Sequence, residues 1–135
     1  MPGVRELLAY IARREGCIHP FRASRALVLA NWRALEELGR PLADFRVEGF
    51  EGGFSIPELE KVKDAAMDGR DECLRINRDR KCVEYACGAP VELEEDLSRI
   101  LDQVLDQVKG LDDVSLNRLV VRDPRYRKLL EGAGG

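Results

Sequence analysis

The sequence predicts a mainly α domain of the α+β class: a compact bundle of five or six helices around a buried central helix, with one β-hairpin. Three stretches carry that prediction. Ala26-Leu27-Val28-Leu29-Ala30 is apolar on every side of a helical wheel, and such a helix must be covered all round. Leu93, Leu97, Ile100, Leu101, Val104, Leu105 and Val108 recur at helical spacing as one stripe, the mark of an amphipathic helix. Between Cys73 and Cys87 the pattern switches to alternation, with Leu74 and Ile76 on one arm and Val83 and Tyr85 on the other, as in a hairpin.

Taken in order, Val4, Leu7, Leu8 and Ile11 predict a first amphipathic helix over 3–15, stopped by Gly16. The central helix runs from His19 to Leu38, with Pro20 suited to its first turn and Gly39 followed by Arg40-Pro41 as its stop. Arg22, Arg25, Arg33, Glu36 and Glu37 are expected to reach water. Residues 39–53 read as a loop with internal packing, or a short extended segment, carrying Phe45 and Phe50. Ser55-Ile56-Pro57-Glu58 matches a capping box at the start of a third helix running to about Asp68, before Gly69. Facing the apolar residues of the hairpin together pairs Ile76 with Val83 and Leu74 with Tyr85, leaving Arg78–Lys81 as a charged tip. A long helix is expected over about 91–109, with Glu92, Glu94, Glu95 and Asp96 at the positive end of its dipole. Ser115 is the expected cap of a short helix through Val121. Asp123-Pro124 opens a last one ending near Glu131, before a frayed glycine-rich tail.

At 135 residues the chain suits a single domain over 1–135, because one core of that size already buries well over half of the unfolded surface. No apolar run approaches the roughly 20 residues of a membrane span, and the N-terminus lacks the pattern of a signal peptide; the cytoplasm is the expected compartment. A net charge of −3 argues against a protein built mainly to coat nucleic acid. The absence of Thr, with only two Gln and three Asn beside many Arg and Glu, predicts a thermophilic source. In such proteins intracellular disulfides occur, so one disulfide among Cys17, Cys73, Cys82 and Cys87 is in view. The hairpin register places Cys73 and Cys82 far apart on one face and turns Cys87 to the other. This disfavours a bridge inside the hairpin and makes Cys17 the expected partner.

No assembled chemistry stands out, and neither an enzyme nor a cofactor is expected. Zinc needs about four ligands, whereas Cys82-x4-Cys87 is a poor pair and His19 is the only histidine. Cys17 and His19 are two residues apart and lack a third orienting group. Gly49, Gly52 and Gly53 are not followed by the Lys-Ser or Lys-Thr of a phosphate-binding loop. Two sets of candidates remain. Phe50, Gly52, Gly53 and Phe54 of the glycine-flanked loop can expose apolar anchors, and Arg78 and Arg80 of the hairpin tip can supply charge to a partner protein. Arg118, Arg122, Arg125, Arg127 and Lys128 form a basic concentration able to meet phosphate, although Asp112, Asp113, Asp123 and Glu131 flank it.

The order of elements resembles the Panacea domain family of helical antitoxin modules, and the resemblance covers most of the chain. It is carried by Phe21 through Leu29, the Gly39-Arg40-Pro41-Leu42 turn, Phe45, the Gly52-Gly53 step, and Ser115-Leu116-Asn117-Arg118-Leu119 after the long helix. Arg25 stands where that family has Lys, Leu29 where it has Tyr, and Gly53 where it has Pro. The resemblance implies a non-enzymatic protein-binding module that neutralises or delivers a partner, such as a toxin encoded nearby. The alternative is a small nucleic-acid-binding regulator using the C-terminal basic segment.

Overall fold

The computed structural model describes residues 2–50 and 52–134, the last four of these by their backbone alone. Its elements run α1 (Val4–Glu15), α2 (Pro20–Leu38), β1 (Glu48–Phe50), β2 (Gly53–Ser55), α3 (Pro57–Met67), β3 (Leu74–Asn77), β4 (Cys82–Tyr85), α4 (Glu95–Val108), α5 (Asp113–Val121) and α6 (Arg125–Gly134). The class is mainly α with two small antiparallel sheets, β1-β2 and β3-β4, so a second hairpin joins the expected one.

The apolar run does what its composition requires. α2 is continuously buried from Ala23 to Val28 and packs against α3, α4 and α5. His19 caps it through Nδ1, which accepts from the Phe21 N–H at 3.1 Å, and Pro20 takes the first turn. Gly39 ends it at φ 70°, a left-handed conformation cheap only for glycine, and its N–H donates to Leu35 O at 3.2 Å. One contiguous apolar cluster draws on α1 to α5 and on residues of both hairpins. Across the outside of the bundle, Arg14 of α1 pairs with Asp102 at 3.0 Å and Asp106 at 2.7 Å on α4. Arg22 of α2 reaches Asp113 at 2.8 Å and the Val108 carbonyl at the end of α4.

The β3-β4 register is the one the alternation demands, Leu74 opposite Tyr85 and Ile76 opposite Val83, with Arg78–Lys81 as the tip. A bridge from Ile18 to Val83 ties the turn before α2 to this sheet.

Several local expectations are corrected. Of the two alternatives for 39–53 the short extended segment is present, as β1, and what is new is its pairing, Glu48 to Ser55 and Phe50 to Gly53. Ser55 is consumed by that ladder, so the capping box does not form: Ile56 is the cap residue of α3, and the Glu58 carboxylate accepts instead from the Arg46 backbone N–H at 3.0 Å. α4 begins at Glu95, four residues late, because Val91 and Leu93 pack on the core in alternation with exposed Glu92 and Glu94, an extended habit. Asp112, not Ser115, caps α5, accepting from the Ser115 N–H at 2.7 Å. α6 continues to Gly134 instead of fraying after Glu131, whose side chain lies outside the described residues, as does Gly135.

The cysteines form two disulfides, Cys17–Cys82 and Cys73–Cys87. Cys17 is a partner as expected, but the exclusion of a bridge within the hairpin fails. The strand ends at Tyr85: the Ala86 N–H still donates to Cys73 O at 2.6 Å, but Cys87 lies past the last paired strand residue and is no longer held to the face assigned by register.

Candidate functional site

The largest departure from the sequence-based picture is Arg25. Expected in water, it is 4% exposed, because α2 turns this face toward the β1-β2 hairpin and α5. Its guanidinium lies 4.0 Å from the ring centroids of both Phe21 and Phe54, sandwiched between them. Phe21 precedes it by four residues, one turn of the same helix. Nε and Nη2 donate to Asn117 Oδ1 at 3.1 and 2.9 Å, and Nη1 donates to Ser24 Oγ at 2.9 Å and to Phe54 O at 3.1 Å. All of these acceptors are neutral, and among the described residues no carboxylate pairs with Arg25. Burial pushes its pKa down to about 10, so the group keeps its charge at neutral pH.

The neighbours of Arg25 are themselves fastened. Asn117 Nδ2 donates to Gly52 O at 3.2 Å, and Tyr126 Oη donates to Gly53 O at 3.1 Å while its ring packs 5.7 Å from that of Phe54. Gly53 fits closely here: a Cβ there would stand 3.1 Å from Arg25 Nη2 and 3.4 Å from the Phe50 ring, so a side chain would press on both. The arginine is thus the junction of α2, α5 and the β1-β2 hairpin.

Above it opens a cleft of about 640 Å³, walled by the first turns of α2, the β1-β2 hairpin, α3 and the β3-β4 tip. Phe50 and Met67, 63% and 46% exposed, and Ile76 supply apolar wall; Lys63, Arg78 and Lys81 supply cations. Glu60 also lines it, paired to Lys63 at 2.7 Å.

Of the residues singled out from the sequence, Phe50, Gly52, Gly53, Phe54 and Arg78 meet at this cleft. Phe54 is not an exposed anchor, being 1% exposed; it forms floor. Arg80 is on the same tip but does not line the cleft, and its backbone N–H donates to Asn77 Oδ1 at 3.0 Å. Arg25, Met67 and Lys81 also line the cleft and were not among the site residues singled out from the sequence. The signal for Arg25 was present, a charge directly before the apolar run Ala26–Ala30 with an aromatic, Phe21, one turn before it.

The C-terminal basic residues lie elsewhere. Arg125 is held by Asp123 at 2.9 Å and by Glu36, and lies 4.6 Å from the Trp32 ring centroid. Arg118, Arg122, Arg127 and Lys128 are exposed. Among the described residues, no group of three or more His, Cys, Asp or Glu side chains is placed to hold a metal, and no helix is long and apolar enough to cross a membrane. Comparison with known protein families, curated proteins and solved structures found no match.

Proposed function

We propose that this chain is a non-enzymatic protein-binding module, similar to Panacea-type antitoxins, that neutralises or delivers a partner by seating part of it in the cleft over Arg25. One observation carries the reading: Phe50 and Met67, two of the large apolar side chains left exposed, open into the same cleft and are bordered by Arg78 and Lys81. Apolar anchors ringed by charge are the usual form of a protein-recognition surface. The β1-β2 hairpin that presents Phe50 is tied down through Asn117 and Tyr126, so the anchor is held in place before a partner arrives, which lowers the ordering cost of binding.

A second reading, a nucleic-acid-binding regulator, draws support from Arg118, Arg122, Arg127 and Lys128, which are exposed on consecutive elements and make no ion pair among the described residues. The two are separated by measuring binding to the product of the adjacent gene, and to duplex DNA at low and moderate salt. Partner binding that is lost in Phe50→Ser supports the module. DNA binding that falls steeply with salt and disappears in Arg125→Glu/Arg127→Glu, with no partner bound, replaces it by the regulator.

A further inference from the structure

We infer that the cleft recognises an acidic peptide segment of the partner, a carboxylate entering toward Arg25 beside a large apolar side chain that packs on Phe50 and Met67. The inference rests on the protein-binding reading and specifies its ligand.

The first argument is the state of Arg25. A guanidinium has five N–H donors, and only four hydrogen bonds are made, so one Nη2 N–H has no acceptor among the described residues. A buried cation served only by neutral oxygens is costly, and a carboxylate is the group whose arrival removes that cost. The flat guanidinium, held between two rings, is already fixed in one orientation, so little freedom is lost when it bonds an anion.

The second argument is the balance of charge in the cleft. Lys63 is neutralised by Glu60 at 2.7 Å and approached by Asp64 at 3.6 Å. Among the described residues Arg78 and Lys81 make no ion pair, and the only carboxylate those residues bring to the lining is that of Glu60. The described residues of the cleft therefore present unpaired cations and no unpaired anion, on a chain whose net charge is −3. The first turn of α2, a helix of 19 residues, also forms one wall and adds the positive end of its dipole.

The third argument is the mixed wall. Phe50, Met67 and Ile76 offer apolar contact in the same lining as these cations, which suits a side chain adjacent to the acid and does not suit a run of phosphates. A single carboxylate with an apolar neighbour fills such a site; a polyanion would leave the apolar wall against water.

The test uses the full chain with its disulfides intact and fluorescein-labelled octapeptides centred on Asp-Phe or Glu-Leu, matched to Asn-Phe and Gln-Leu controls, with a dT12 oligonucleotide as the polyanion control. Fluorescence anisotropy should show the acidic peptides binding, with the amide controls weaker by about thirtyfold or more, the loss expected when a desolvated charge pair is removed. Arg78→Ser/Lys81→Ser should weaken the acidic peptides by about two- to fivefold and flatten the salt dependence. Phe50→Ser should weaken both peptide classes. Arg25→Lys should erase most of the acid preference, and circular dichroism of the variant establishes that it is folded; should it fail to fold, the Arg78/Lys81 double variant and the amide controls still decide. Equal binding of acid and amide peptides, tighter binding of dT12, or no binding by any peptide overturns the inference. Binding of the adjacent gene's product that requires Phe50 but is indifferent to Arg78→Ser/Lys81→Ser overturns the acidic ligand while leaving the protein-binding reading in place.

Discussion

Two side chains carry unusual electrostatic weight. Removing the acceptor that serves Arg25 twice strips compensation from a buried charge, so Asn117→Ala is expected to cost about 2 kcal/mol, read by urea denaturation, whereas Ser24→Ala, which removes a single neutral acceptor, should cost about 1 kcal/mol. The opposite case is Asp71. It receives both Nε and Nη2 of Arg5, at 2.8 and 2.9 Å, and the backbone N–H groups of Cys73 and Leu74 at 2.9 Å each. The Arg5 guanidinium holds its carboxyl well below the usual carboxylate range, and the two backbone donors add to that against the opposing effect of burial. A pKa lowered on folding stabilises the protein above the unfolded value, near 4, and the stabilisation drains away as pH falls below it. Asp71→Asn should therefore destabilise by about 2 kcal/mol at pH 7 and by progressively less below pH 4, as thermal melts across that range would show. If the wild type and the variant lose stability in parallel on acidification, the assignment is wrong.

Among the elements, α2 and the β3-β4 hairpin organise the rest. Leu27 and Val28 are fully buried on α2. An aspartate at either position places an unpaired charge in the core, a cost of more than about 4 kcal/mol, so Leu27→Asp and Val28→Asp are expected to abolish the cooperative melt seen by circular dichroism. The disulfides act on a different state. Cys17–Cys82 closes a loop of 65 residues and Cys73–Cys87 one of 14; on the chain-entropy view they stabilise by about 4 and about 3 kcal/mol through the unfolded chain. Thiol titration of denatured protein purified without reductant should find no free thiol, and four after reduction. Cys17→Ser/Cys82→Ser should lower the denaturation midpoint more than Cys73→Ser/Cys87→Ser, since the former also releases the turn bridged from Ile18 to Val83.

For the molecule as a whole, the proposed function has a recognisable signature in solution. An interaction led by Phe50 and Met67 is dominated by apolar burial, so partner binding should survive moderate salt with a modest loss from its rim cations. Binding led by Arg118, Arg122, Arg127 and Lys128 would fall steeply over the same interval, because each neutralised phosphate releases counterions. Isothermal titration of the adjacent gene's product at two salt concentrations distinguishes these outcomes. A steep salt dependence retained in Phe50→Ser would refute the cleft as the binding surface.

Local chemistry alone determined most of the elements. α2 was legible because an apolar run must be enclosed; the β3-β4 register was legible because side-chain alternation has period two and admits one facing pattern. What local chemistry missed were matters of competition between neighbours distant in sequence. Ser55 can cap a helix, but the β1-β2 ladder claimed it; Glu58 turned to Arg46; Cys87 escaped its register face because the strand ends at Tyr85. The site was half legible. Phe50, Gly52, Gly53 and Arg78 were marked by their types, yet nothing in the spacing shows that residues of α2, two hairpins and α3 share one cleft. Arg25 shows the limit most sharply: on a helical wheel an arginine is assigned to water, and only the convergence of Phe54, Asn117 and Ser24 around it supplied enough rings and oxygens to bury its charge.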